Sequence, residues 1–258
     1  RRRRAENLGE NKMKYQIPKT FMGKPVAGSL ERVLAGLNGN SLSPSQTPPL
    51  VNAPNLDGYI FVPSIGLYVA KERTHTGLDW YKTHEALQIE GLKMPTIPQF
   101  LEYLKFLQTG HQDRSEAQII LDDILKVGNY RGEWLDARFE DSATILLYNH
   151  NHEIKNSQII NKKSEILDIS SIREDCWADI FGSANVQGLP TKKLGSSYEQ
   201  GKNAYFWYPR EGSVAWFGAY SDGAGLNCSW SPTDTYPSLG VFACAEGVAP
   251  KIKEFEVI

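Results

Sequence analysis

Apolar residues recur at helical spacing in one stretch of the chain, and short apolar runs between turn formers fill most of the rest. In "TIPQFLEYLKFLQTG" the residues Phe100, Leu104 and Leu107 make one stripe. Thr96 and Gln99 supply a T-x-x-Q capping box, Pro98 sits in the tolerant first turn, and Gly110 follows the last apolar position. A preceding helix is predicted from Thr76, as its cap, through Glu90, with Asp79 at its third position and Gly91 just past its end. A following helix opens at Asp113 with Glu116, turns Ala117, Ile120, Leu121 and Ile124 toward a core, and stops at Gly128.

Ahead of these helices, "GYIFVPSIGLYVAKE" (58–72) carries two aromatic and β-branched runs broken at "PS", which fits a pair of strands or one bent strand. Behind them, "GEWLDARF" and "ATILLYNHNHEI" read as strands, the second with a polar, hairpin-like turn at its histidines, and "CWADIFGSANVQGLPTKKLGSSYEQGKN" reads as loop. Helices early and strands late specify an α+β domain rather than a parallel βαβ sheet. The cluster "NGNSLSPSQTPPLVNAPN" sustains neither period, so residues 1–57 are expected as an irregular arm or linker and 58–258 as the folded domain.

Composition narrows the functional classes. With 258 residues, 41% hydrophobic and 22% charged, the chain can bury a sizeable core. A formal net charge of -2 gives no general positive field for a phosphate backbone, so nucleic acid is not expected as a partner. The run Arg1–Arg4, with no initiator Met ahead of it, reads as an artefact or a truncation point and is set aside. No apolar run reaches the length of a membrane span, and no apolar signal-peptide core follows the Arg run. A chain without membrane insertion is expected, its compartment unspecified.

Cys176, Cys228 and Cys244 lack metal-binding spacing and the density of a disulfide scaffold, and free thiols are favoured over a Cys228–Cys244 bridge. His150 and His152 lie two apart with Glu153 beside them, which on a strand would put both rings on one face, but a polar turn accounts for them and no metal site is assigned. His84 shares a helix face with Trp80 and Leu87 and is expected to be partly buried and hydrogen-bonded. Asp122 and Asp123 diverge on a helix and cannot pair as acid and base. There is no G-x-S-x-G elbow, P-loop or dinucleotide fingerprint, and Cys176 has no local base. No catalytic residue and no cofactor are assigned.

One segment resists these assignments. "SVAWFGAYSDGAGLNCSWSPTDTYPSLGVFACAEG" (213–247) sets large rings among Gly, Ser, Asp and Pro at irregular intervals. Phe217, Leu226, Leu239 and Val241 are expected in the core. Trp230 and Tyr236 fall between turn formers, where rigid rings and small polar residues are the composition of binding loops.

The same segment, together with "DWYKTHEALQIEGLKMPTIPQFLEYL", resembles a family. The helix, its connector and the second helix resemble the opening of a C-type lectin fold of the formylglycine-generating-enzyme type. The C-terminal stretch resembles the variable region of proteins diversified by retroelements, in their archaeal branch. That resemblance implies a helix pair packed on small antiparallel sheets with long loops. It implies a fixed frame at Phe217, Ala219, Ser221, Asp222, Leu226, Cys228, Pro232, Pro237, Leu239, Gly240 and Val241. It implies a varied, ligand-binding set at Trp216, Gly218, Tyr220, Gly223, Gly225, Ser229, Trp230, Ser231, Asp234, Tyr236 and Phe242. The calcium motifs of sugar-binding lectins are not present, so calcium-dependent sugar binding is not implied. The expected function is non-enzymatic binding of a macromolecule, most naturally a protein. The alternatives are a copper-dependent formylglycine-generating oxidase, although Cys228 and Cys244 stand far apart for its cysteine pair, and a structural subunit of a surface assembly.

Overall fold

The computed structural model describes residues 56–247, apart from 129, 143 and 144, and a short ladder near the start of the chain. That ladder, β1 (Thr20–Phe21) paired antiparallel with β2 (Lys24–Pro25), belongs to a separate compact unit over Arg1–Leu50. The rest of the irregular arm expected over 1–57 lies almost wholly outside the described residues.

The larger unit is mixed α+β. β3 (Tyr59–Val62) and β4 (Leu67–Ala70) form an antiparallel pair, which settles the choice between two strands and one bent strand, and β13 (Cys244–Glu246) pairs with β4 to complete a three-stranded antiparallel sheet. The helices α1 (Trp80–Ile89), α2 (Ile97–Thr109) and α3 (Arg114–Leu125) follow. Two of the three caps fall where the sequence places them: the Thr96 N–H donates to Gln99 Oε1 at 2.9 Å, and Asp113 Oδ1 accepts the Ser115 and Glu116 N–H groups at 3.0 Å. The first helix differs. Its cap is Asp79, whose carboxylate accepts the Lys82 N–H at 2.7 Å, and Thr76 lies outside the helix. Gly77, with φ 78, turns the chain between the two in a conformation that suits glycine. No helix among the described residues is long and apolar enough to cross a membrane.

An eight-stranded sheet forms the body. Its order is β7 (Gln158–Ile166), β6 (Ile145–Lys155), β5 (Arg131–Ser142), β10 (Val214–Ala219), β11 (Ala224–Trp230), β9 (Ala204–Trp207) and β8 (Cys176–Ala178), and β12 (Leu239–Gly240) also pairs with β5. The ladders are antiparallel except β11 with β9 and β12 with β5. Residues Arg131–Ala137 of β5 are all buried, so both faces of this strand are covered. Leu135, Ala137 and Phe139 enter the main core with Phe100, Leu104, Phe217 and Phe242. Trp134 enters a second, smaller core with Trp80, Leu87, Trp216, Leu239 and Val241. The period of two along an extended chain assigns alternate residues to these two cores.

The polar turn expected at His150 and His152 is not there. Both residues lie inside β6, and the reversal comes at Asn156 and Ser157, with φ 52 and 59, between paired Lys155 and Gln158. Two successive positive φ values are what a two-residue hairpin turn matched to strand twist requires. Asn149 and His152 belong to the strand because Glu140 and Asp136 on the neighbouring β5 bind their side chains.

Phe217, Leu226, Leu239 and Val241 are buried, as expected of a core. Truncating Leu239 to Ala should therefore cost about 2–5 kcal/mol in denaturant or thermal melts, as large-to-small core changes do. Tyr236, 51% exposed, should change stability by no more than about 0.5 kcal/mol when replaced by Ala.

Candidate functional site

Four of the rings singled out in the sequence converge. Trp216 on β10 meets Tyr220 at 5.3 Å and Trp230 at the end of β11 at 5.2 Å, and Trp230 meets Tyr236 at 6.2 Å between centroids. With Tyr130, Ser238 and Leu239 they line a cleft of about 140 Å³ whose walls are almost wholly apolar. The ring contacts continue across the sheet from Tyr220 to Trp207, Tyr205 and Trp177 at 5.2, 4.6 and 5.2 Å. This makes one stripe of aromatic side chains from β8 to the loop before β12.

Glycines are the floor of that stripe. A Cβ built on Gly132 or Gly218 would run into the Trp216 ring, and one on Gly225 would run into Trp207. Neighbouring strands therefore offer bare backbone where each indole lies. The pattern of ring beside glycine that stood out in the sequence is a packing relation between adjacent strands.

The loop carrying Trp230 and Tyr236 is held through its backbone. The Trp80 N–H donates to the Pro232 carbonyl at 3.1 Å, the Gly132 N–H to Ser238 at 3.2 Å, and the Gly77 N–H to Leu239 at 2.9 Å. The Arg73 guanidinium reaches the Ser238 carbonyl and also Gly132 O at 3.2 Å. Arg73 and Arg131 flank the fully buried Glu133, with Arg131 Nε donating to it at 3.0 Å. A carboxylate buried between two guanidiniums fixes the start of β5 under the cleft.

Two polar atoms at the cleft lack partners. The indole N–H groups of Trp216 and Trp230 are buried and make no hydrogen bond among the described residues. Buried donors left in this state cost about 1–3 kcal/mol each, which a bound acceptor would recover. Tyr220 is held protonated, its phenol raised above its ordinary value mainly by burial. Tyr130, 63% exposed, sits at the cleft mouth with φ 42, in the left-handed region that a bulky residue enters only at a cost.

The rest of the predicted set divides. Ser229 and Ser231 lie beside the rings, with their hydroxyls engaged by Asn227 and Thr233 at 3.0 Å, and Asp234 is half-buried in the same loop. Gly218, Gly223 and Gly225 are buried floor positions rather than ligand contacts, because the rings above them occupy the space a side chain would need. Phe242 is corrected outright: 1% exposed, it packs against Phe100 and Tyr103 with Arg131 over its ring, and no ligand can reach it. Tyr130, Gly132 and Trp207 were missed by the sequence reading, since β5 and β9 bring them from far along the chain.

Elsewhere, His84 of α1, Asp136 of β5 and His152 of β6 present metal-ligand atoms all within 4.8 Å of one another. His84 is more buried than expected and its Nε2 makes no hydrogen bond. His150, by contrast, stacks on Tyr148 at 4.8 Å and reaches Glu165. Cys176, Cys228 and Cys244 are free, and Cys228 and Cys244 are buried. Burial holds both as thiols, pushing Cys244 up to about 12 and Cys228 well above its ordinary value.

Compared with protein-family models, with curated proteins and with solved structures, the chain matches none.

Placing a methyl group under the Trp216 indole should dislodge it. Gly132→Ala should alter the near-ultraviolet circular dichroism and tryptophan emission and should destabilise the fold. Gly212→Ala, in open space but with φ 73, should lower stability through backbone strain without changing the aromatic spectrum.

Proposed function

We propose that this protein is a non-enzymatic binding protein whose aromatic cleft receives a side chain or turn of another protein. The observation that carries the reading is the convergence of Trp216, Tyr220, Trp230 and Tyr236 on one small apolar cleft holding two unpartnered indole donors. Rigid rings on a backbone held by other residues offer large contact area at little conformational cost, and rings of this kind supply the anchors of protein interfaces. The cleft suits an apolar group that carries an acceptor, such as a backbone carbonyl beside a small side chain.

The finer reading is a variable protein of a retroelement on a C-type lectin-like scaffold. It is supported by the separation of roles along 229–236: a main-chain bond from Trp80 holds the loop at Pro232, while Ser231 and Tyr236 are exposed. A near-repeat of the codons for 213–247 beside a reverse transcriptase gene would be its genetic signature, and a neighbourhood lacking both would remove it.

The binding reading is tested on partners selected from a displayed protein library. Trp230→Ala should weaken the selected complex by about 2 kcal/mol, roughly thirtyfold, with an unchanged melting temperature. Affinity indifferent to removal of all four rings would put binding on another face.

The oxidase alternative needs a reactive, substrate-accessible cysteine pair, and the burial of Cys228 and Cys244 weighs against it. Replacing both by Ala should leave partner affinity unchanged. Copper-dependent oxidation of a sulfatase-type peptide by the purified protein, lost in the double variant, would establish the oxidase instead.

A further inference from the structure

Three elements bring together side chains that the aromatic cleft does not use. α1 supplies His84, β5 supplies Asp136 and β6 supplies His152, all well buried. His84 Nε2 stands 3.7 Å from Asp136 Oδ1, and His152 Nδ1 contacts that same oxygen. The other carboxylate oxygen accepts the His152 backbone N–H at 3.1 Å, which orients the group. Trp80 walls the site, its ring 4.3 Å from His84 and 4.9 Å from His152.

This arrangement leaves a buried imidazole nitrogen aimed at a carboxylate without a hydrogen bond to it. An internal polar network normally closes such a gap, because an unpaired buried polar atom is costly. The cluster opens on a cavity of about 840 Å³ lined by Leu87, Gln88, Met94, Gln99 and Glu153, which gives a path to solvent.

We propose that His84, Asp136 and His152 form a binding site for a divalent transition-metal ion of the zinc class, with its fourth position facing that cavity. Two imidazole nitrogens and one carboxylate oxygen form a common three-residue donor set for zinc when a water completes the tetrahedron. Donors about 2.0–2.1 Å from zinc lie about 3.3 Å apart in a tetrahedron, so the His84 ring closes on Asp136 by a small rotation. Coordination through His152 Nδ1 needs the neutral tautomer that carries its proton on Nε2, so the proton between His152 and Asp136 moves to the far ring nitrogen on binding. The Asp136 contact to the His152 N–H remains and holds the carboxylate in place. The ion would clip α1 to β5 and β6, a function separate from the aromatic cleft and not dependent on it.

The test uses the full chain, stripped by chelator and titrated with Zn²⁺ alone and with Co²⁺ alone. The site predicts one ion per chain by calorimetry, a higher melting temperature reversed by chelator, and intense ligand-field bands for Co²⁺ typical of four-coordination. Asp136→Asn and His84→Gln should each weaken binding by at least the ten- to hundredfold that loss of even an outer-shell partner costs, and His150→Ala should leave it unchanged. Should the cluster variants unfold, nitrogen NMR of the intact protein decides: Zn²⁺ should shift the ring nitrogens of two of the five histidines, both of them in contact with the Trp80 ring. Folded protein that takes up neither ion, or uptake that persists in the folded variants or shifts other histidines, overturns the site.

Discussion

Strand β5 is the constraint on which the rest depends. Its first seven residues are buried, so the strand must satisfy two cores at once, and the pleat decides which side chain serves which. Leu135, Ala137 and Phe139 pack under α2 and the sheet, while Trp134 packs toward α1. Gly132 and Asp136 share the parity of Trp134. The face toward α1 therefore presents bare backbone, then an indole, then a carboxylate, over about 13 Å at 3.3 Å per residue. The first of these is the floor of the aromatic cleft and the last is the centre of the His84–Asp136–His152 cluster.

Ring and glycine then form a dependent pair. An indole laid flat across a sheet buries most of its surface only if the strand beneath has no side chain there, so Trp216 requires Gly132 and Gly218. That placement leaves the indole N–H groups of Trp216 and Trp230 buried without a hydrogen-bond partner among the described residues. Trp80 and Trp134 are treated differently. Their N–H groups donate to the carbonyls of Leu135 and Leu78 at 3.0 Å, as buried tryptophans in a finished core do. The contrast within one small core is between indoles whose N–H groups are paired and indoles whose N–H groups are not.

How much of this was legible depended on how local the chemistry was. The caps at Thr96 and Asp113, and the α2 and α3 stripes, are relations within four residues, and they were readable. Thr76 was misplaced as a cap because Asp79, three residues on, is itself a capping residue and the chain turns at Gly77. The β6 turn was misplaced because "NHNHE" is polar for a reason distant in sequence: Asp136 and Glu140 of β5 bind it. Trp230 and Tyr236 were legible because turn formers surround them, whereas Trp216 and Tyr220 were singled out only through the family resemblance. Phe242 was misassigned because it shares their neighbourhood, and only the short run through β12 to β13 turns it inward. Tyr130, Gly132, Trp207 and the Asp136 partnership carried no signal, since tertiary contact alone defines them.

A loop can tolerate change in its side chains only if something else holds its backbone. In 231–239 that task falls to main-chain donors at Gly77, Trp80 and Gly132 and to the Arg73 guanidinium, none of which belongs to the loop. A carbonyl accepts a hydrogen bond whatever side chain its residue carries, so these anchors survive substitution at Ser231, Asp234 or Tyr236. The independence ends at Gly240, where a Cβ would press on the Thr74 carbonyl, and at Gly218, where it would meet the Arg131 carbonyl as well as the Trp216 ring. Freedom at the rim and strictness at the floor come from the same source. The loop is held by contacts that ignore side chains, and the floor is built from contacts that exclude them.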